Sequence, residues 1–191
     1  MTDHRGERED EAGFFSATVV DVRGATTEGE SVFDVFDSDE TCSGYLEALY
    51  DLETDDFKPR VSRLASGDDY LWNPNLLILD RLMVYPRYRG SGLGLLALHG
   101  IMLRLRAAAG LIAMKPFPLQ FQEKFLGNHD PGELERLGLN LFNVPRENAR
   151  SKLRRYYAKL GFRRVPGTEY MVRSPELPLA DSPALQVETG A

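Results

Sequence analysis

Six residues in the middle of this 191-residue chain have the types and spacing to hold an anion: Arg89-Gly90-Ser91-Gly92-Leu93-Gly94. Three glycines in so short a run let the backbone approach a ligand closely. An apolar run from Leu76 to Val84 precedes them and stops at Tyr85-Pro86, and a second apolar stretch follows as far as Gly110. This composition predicts a buried strand that leaves its sheet at Pro86, where the ladder loses a donor. A helix should then start near Ser91 or Gly92 and end at Gly110. The first-turn N–H groups of such a helix have no intrahelical partner and lie at the positive end of its dipole, so the turn reads as a phosphate site.

Three known phosphate loops compete for this turn. The nucleotide-triphosphate loop is excluded, because no Gly-Lys-Ser/Thr follows the glycines. The dinucleotide fingerprint requires Gly-x-Gly-x-x-Gly, whereas Gly90, Gly92 and Gly94 are spaced Gly-x-Gly-x-Gly. It also requires an acidic residue after the next strand, and Leu111-Ile112-Ala113-Met114 is followed by Lys115. The third loop, Arg/Gln-x-x-Gly-x-Gly/Ala, is matched at every fixed position.

At these residues the chain resembles the GCN5-related N-acetyltransferase superfamily, and the phrase from Leu82 through Met83, Val84, Tyr85, Pro86 and Arg87 to Gly94 is similar to its longer motif. A second block, Tyr156-Tyr157-Ala158-Lys159-Leu160-Gly161-Phe162, resembles the family's Tyr-x-x-x-Gly-Phe ending, with Arg150 and Leu153 where an Asn and an Ala are common. The resemblance implies an α/β (α+β) fold in a single acyltransferase domain. Its mixed, mostly antiparallel sheet would be flanked by helices, with one parallel pair splayed at the coenzyme. It also implies acetyl-coenzyme A as cosubstrate, with no metal. An amine of a small molecule or protein would accept the acetyl group in a ternary complex; a non-catalytic coenzyme-binding sensor is the alternative.

In that reading Leu82, Met83, Val84, Arg89, Gly90, Ser91, Gly92, Leu93 and Gly94 contact the coenzyme. Backbone N–H groups near Met83 or Val84 polarise the thioester carbonyl, and Tyr157 protonates the departing thiolate or simply packs helix on sheet. Asp80 is the first choice for a base, since strand periodicity puts it on the face of Val84, although it could instead pair with Arg81. Glu123 and His129 would serve only if their segment folds over the site. His99 lies on the apolar helix and reads as a packed or surface residue, and an ordered water chain could replace a base altogether.

Composition sets the remaining bounds. At 42% hydrophobic residues the chain can build one domain with a real core. A single cysteine, Cys42, excludes an internal disulfide, and no long uncharged apolar run occurs, so a cytoplasmic protein without membrane contact is expected. The net charge of −6 hides an asymmetry: only Arg5, Arg8 and Arg23 are basic up to Asp56, whereas Arg150, Lys152, Arg154, Arg155, Lys159, Arg163 and Arg164 crowd the stretch after Arg146. Two solvated faces explain this, and the acidic half could equally attract a cationic amine. Nucleic-acid binding through the basic stretch is disfavoured by the overall charge, and a homodimer is compatible with everything seen.

In chain order, residues 1–12 read as a disordered tail and 13–173 as the domain. Phe14 to Arg23 reads as a strand, Ser31 to Phe36 as a short strand and Thr41 to Leu52 as a helix. Pro59 to Ala65 reads as a further strand, on a stretch short for the family's second and third. Residues 117–145 form an atypically long connection. Phe162 to Val165 and Thr168 to Arg173 are the last strands around Pro166-Gly167, and 174–191 reads as a flexible tail.

Overall fold

A computed structural model describes residues 11–37, 40–121, 135, 137–139 and 141–178. Its central sheet has the order β1-β4-β5-β7-β6, built from Gly13–Val20 (β1), Leu76–Val84 (β4), Leu111–Met114 (β5), Met171–Arg173 (β7) and Arg163–Arg164 (β6). Every pairing is antiparallel except β4 with β5. The mixed α/β architecture and the one parallel pair therefore match the expectation from sequence.

Helices cover both faces of the sheet. On one side lie α1 (Val22–Glu28), α2 (Val32–Asp37), α3 (Glu40–Leu49) and α4 (Pro59–Ala65), whose Val22, Phe36, Leu49 and Val61 pack with Leu76 and Ile78 of β4. On the other side lie α5 (Leu93–Leu105) and α6 (Arg146–Ala158), where Leu95, Leu98, Met102 and Tyr156 pack with Leu77, Leu79 and Leu82. Alternation along β4 thus feeds two cores at once, as expected of a strand buried on both faces.

Several stretches differ from the sequence reading, among them the expected helix Thr41 to Leu52, which ends at Leu49. Ser31 to Phe36 is not a strand: Val32 and Phe36, one helical turn apart, are both fully buried. Ser31 and Asp34 cap this helix reciprocally, the Ser31 N–H donating to Asp34 Oδ2 at 3.0 Å and the Asp34 N–H to Ser31 Oγ at 3.3 Å. Pro59 to Ala65 is also helical, because Pro59 occupies the first helical position and Val61 and Ala65 share a buried face. The predicted first strand ends at Val20, where Asp21 accepts from the Gly24 N–H at 3.0 Å and starts α1.

Consequently no second or third strand enters the central sheet among the described residues. Tyr50–Asp51 (β2) and Asp56–Phe57 (β3) make a separate two-stranded hairpin, and β1 pairs directly with β4. Gly110 does not cap α5, which runs into a 3-10 turn at Arg106–Ala108. Its backbone instead abuts Asn73, and a Cβ there would lie 2.0 Å from the Asn73 carbonyl oxygen.

Past β7 the chain is held rather than loose as far as it is described. Arg173 is 2% exposed; its Nη1 donates to the Leu160 carbonyl at 2.7 Å and its Nη2 to that of Leu177. The expected tails at 1–10 and 179–191, and Glu123 and His129 of the long connection, lie outside the described residues.

Candidate functional site

β4 and β5 pair only from Leu76–Leu111 to Ile78–Ala113. β4 continues to Val84, paired with β1 on one side, while β5 ends at Met114. Among the described residues no strand pairs with the β5-facing edge of β4 beyond Ile78, so the backbone groups of Leu82 and Val84, which alternate away from β1, face an opening in the sheet, while those of Met83 face β1.

The glycine turn stands at the end of this opening. After Val84 a 3-10 turn, Pro86–Tyr88, leads into Gly90 at φ 82° and Gly92 at φ 80°. Both values lie in the left-handed region, where a side chain costs energy, so both positions demand glycine. Gly92 caps α5 without a side chain, and its carbonyl accepts from the Leu95 and Leu96 N–H groups. Among the described residues the backbone N–H groups from Gly90 to Gly94 have no protein acceptor, which leaves a cluster of donors at a helix N-terminus. The Ser91 hydroxyl is committed to the Tyr88 carbonyl at 2.8 Å.

Arg89 does not point at this cluster. Its Nε donates to the Val84 carbonyl at 2.8 Å, its Nη1 to that of Gly138 at 3.2 Å and its Nη2 to that of Leu137, with the guanidinium 4.8 Å from the Phe142 ring centroid. The side chain straps the turn to the long connection. Leu137 and Leu139 also bury Met83, together with Phe14, Tyr85 and Leu119.

The sequence placed Asp80 and Val84 on one face, and a register shift overturns that. β1 Ser16 pairs with Arg81 and Ala17 with Leu79, so Asp80 is an extra residue in β4 and the alternation changes phase there. Leu82 and Val84 lie on the α5 side, near Gly94, whereas Asp80 keeps the α3 side with Ile78. Asp80 is exposed, accepts from Ser16 Oγ at 3.0 Å and lies close enough to Tyr45 to help raise its pKa, after burial and Tyr170. No basic side chain among the described residues pairs with it. It sits between the cluster under α1 to α4 and the one around Met83.

Around Asp80 the α3 side carries an aromatic and ionic wall. The Tyr45 and Tyr170 rings lie 4.5 Å apart, and Lys115, at the end of β5, bridges to Glu169 at 3.1 Å. Glu169 also pairs with Arg150 of α6, the residue standing where the resembled family often has Asn. Arg150 Nε and Arg154 Nε are buried without a hydrogen-bond partner among the described residues.

Tyr157 lies against the second core, and burial with the Tyr156 phenol beside it pushes its pKa up to about 12. The sequence reading named Tyr156 in the family block but gave it no role in the chemistry, and its hydroxyl is the one at the glycine turn. A Cβ on Gly94 would lie 2.6 Å from Tyr156 Oη, 3.5 Å from Val84 Cγ2 and 3.6 Å from Leu82 Cδ2. The signal was available: in α6 a residue four before Leu160, itself buried, shares its sheet-facing side. His99 is half-buried on α5.

No family model, curated protein or solved structure matches the chain. Two further observations bound the site. Among the described residues no group of His, Cys, Asp and Glu could hold a metal, and no helix is long and apolar enough to cross a membrane. A cavity of about 730 Å³ lies at the opposite end of the sheet, lined by Tyr70, Trp72, Arg106, Gly110 and Leu177. It opens near the N-terminal ends of β4 and β5, away from the glycine turn.

Proposed function

We propose that this protein is an acyl-coenzyme A-dependent N-acyltransferase of the GCN5-related type, passing an acetyl group to a primary amine. The observation that carries the reading is the meeting of two features: β4 and β5 part after Ile78 and Ala113, and the open donor cluster of Gly90 to Gly94 stands beside the part of β4 this exposes. The donors suit a pyrophosphate, and the parting gives pantetheine a path along Leu82 to Val84.

The two faces of β4 divide the chemistry. The coenzyme occupies the side of α5 and α6. The amine approaches from the side of α3, where Asp80, Tyr45 and Tyr170 face the parting and the exposed carboxylate favours a cation. The amine must be neutral to attack; Asp80 or water takes its proton. The N–H of Val84, which faces away from β1, stabilises the carbonyl oxygen as charge develops on it, a contribution typically of about 2.7–4 kcal/mol per donor.

Release of coenzyme A thiol from acetyl-coenzyme A, followed over a panel of amines, tests this. Amine-dependent release by the wild type, abolished by Gly92→Asp, is expected, since the variant puts a strained carboxylate among the phosphate donors. Release that ignores the amines, or persists in Gly92→Asp, would contradict the reading.

A further inference from the structure

We propose that this chain pairs with a second copy of itself along β1, joining two sheets into one across a two-fold axis. β1 is one edge of the central sheet, and among the described residues no strand pairs with its outer side. The other edge, β6, is protected against such pairing, being two residues long and both arginine. β1 lacks that protection: its eight residues, GFFSATVV, include no charge and no proline. Its backbone groups alternate in direction. The Tyr85 N–H donates to the Ala12 carbonyl at 2.9 Å and Phe14 pairs with Met83, so Phe14 turns its groups to β4 while Gly13 and Phe15 turn theirs outward.

The helix above this edge is apolar on the same side. α5 packs over β4 and β1, with Phe15 and Ala17 against its core, whereas α6 is tied to the start of β7 through Arg150 and Glu169. Gly94, beside Tyr156, marks the flank of α5 turned to α6. Leu96 and Leu103 lie on the opposite flank, about 160° round the helix from Gly94 and Ile101. They are 44% and 48% exposed, and Val19, on the β1 face of Phe15 and Ala17, is 41% exposed. Together these three make an apolar strip beside the free edge.

A second copy is the occupant these features fit. An antiparallel edge is its own complement, so a two-fold axis gives each partner the same hydrogen bonds and the same apolar strip. The axis also brings together charges that stand far apart within one chain. Glu11 precedes β1, where its carboxylate accepts from the Tyr85 hydroxyl at 3.3 Å. Arg106 follows α5 at the other end of the sheet, where the Gly110 N–H donates to the Asn75 carbonyl at 3.0 Å. Antiparallel pairing carries Glu11 of one protomer toward Arg106 of its partner, and the symmetry repeats the contact. Residues 1–10, which precede the strand, offer little to set against the strip, since six are charged and only Met1 has a large apolar side chain. An edge about 27 Å long, with strand and helix layers together about 20 Å deep, covers roughly 1,000 Å² over both partners, enough for a specific but weak interface.

Sedimentation equilibrium of the full chain, with amide exchange followed at several concentrations, tests this. The wild type should dimerise with a dissociation constant in the micromolar range, and the Phe15 amide should exchange more slowly as the dimer fills. Val19→Lys and Leu103→Glu, exposed positions on different elements, should each weaken the dimer by at least about tenfold while unfolding remains cooperative. Arg106→Glu should weaken it about threefold, and adding Glu11→Lys should restore it. A wild type that stays monomeric at about 100 μM, well above the expected constant, would overturn the proposal. So would a dimer unmoved by both Val19→Lys and Leu103→Glu, or Phe15 exchange that ignores concentration. The parting lies on the other side of β4 from β1, so these variants should leave acetyl-coenzyme A affinity unchanged, and failure of the dimer would leave the acyltransferase reading standing.

Discussion

Two side chains carry most of the residue-scale argument. Gly94 is tolerated in α5 despite glycine's cost of about 1 kcal/mol against alanine, because the Tyr156 hydroxyl fills the space a Cβ would need. Gly94→Ala should therefore not deliver the usual helical gain in the wild type, but should deliver it in a Tyr156→Phe background. Thermal unfolding of the two single variants and the double variant measures that coupling, and simple additivity would deny the contact. Asp80 is separated from the coenzyme side by the register shift, so Asp80→Asn should leave acetyl-coenzyme A affinity within about twofold. It should raise the KM of any amine the wild type acetylates, and calorimetry with steady-state kinetics separates the two effects.

At the scale of elements, the glycine turn is held by Arg89 rather than equipped by it. Its three carbonyl partners come from β4 and from residues 137–138, so Arg89→Met removes three charge-assisted hydrogen bonds. A loss of about 2–4 kcal/mol in denaturant unfolding is expected, with faster amide exchange across 137–142. Coenzyme affinity should fall far less than in Gly92→Asp; equal losses would mean that Arg89 acts on the phosphates. This division could not be read from the motif, which specifies an arginine and not the direction of its side chain. β4, α5 and β5 were legible because an apolar run, Pro86 and the glycines are local signals that tertiary packing reinforced. The acidic first third was misread where local signals conflicted. Val32, Phe33, Val35 and Phe36 favour a strand by type, while the Ser31–Asp34 cap and the burial of Val32 and Phe36 fix a helix. The extra residue at Asp80 left no trace in sequence, since no glycine marks it, and the face assignment failed there.

Over the whole molecule, the two sides of the sheet are tied together at the parting by Lys115 just after β5, Glu169 ahead of β7 and Arg150 on α6. Burial alone would raise the Glu169 pKa, but the bonds and charges of Lys115 and Arg150 more than offset it and hold the carboxyl below the ordinary glutamate value. A depressed folded pKa gives stability that is present above the unfolded value of about 4.5 and lost as pH falls through the folded one. Glu169→Gln should therefore destabilise at neutral pH, with the difference from wild type shrinking as unfolding is followed down in pH through the lowered carboxyl pKa. The central claim is that the parting of β4 and β5 and the glycine turn form one coenzyme site. A calorimetric titration of the intact chain with acetyl-coenzyme A, beside Gly92→Asp, tests it most directly. Micromolar binding by the wild type that Gly92→Asp loses is the predicted result. No binding by the wild type, or equal binding by the variant, would contradict the claim.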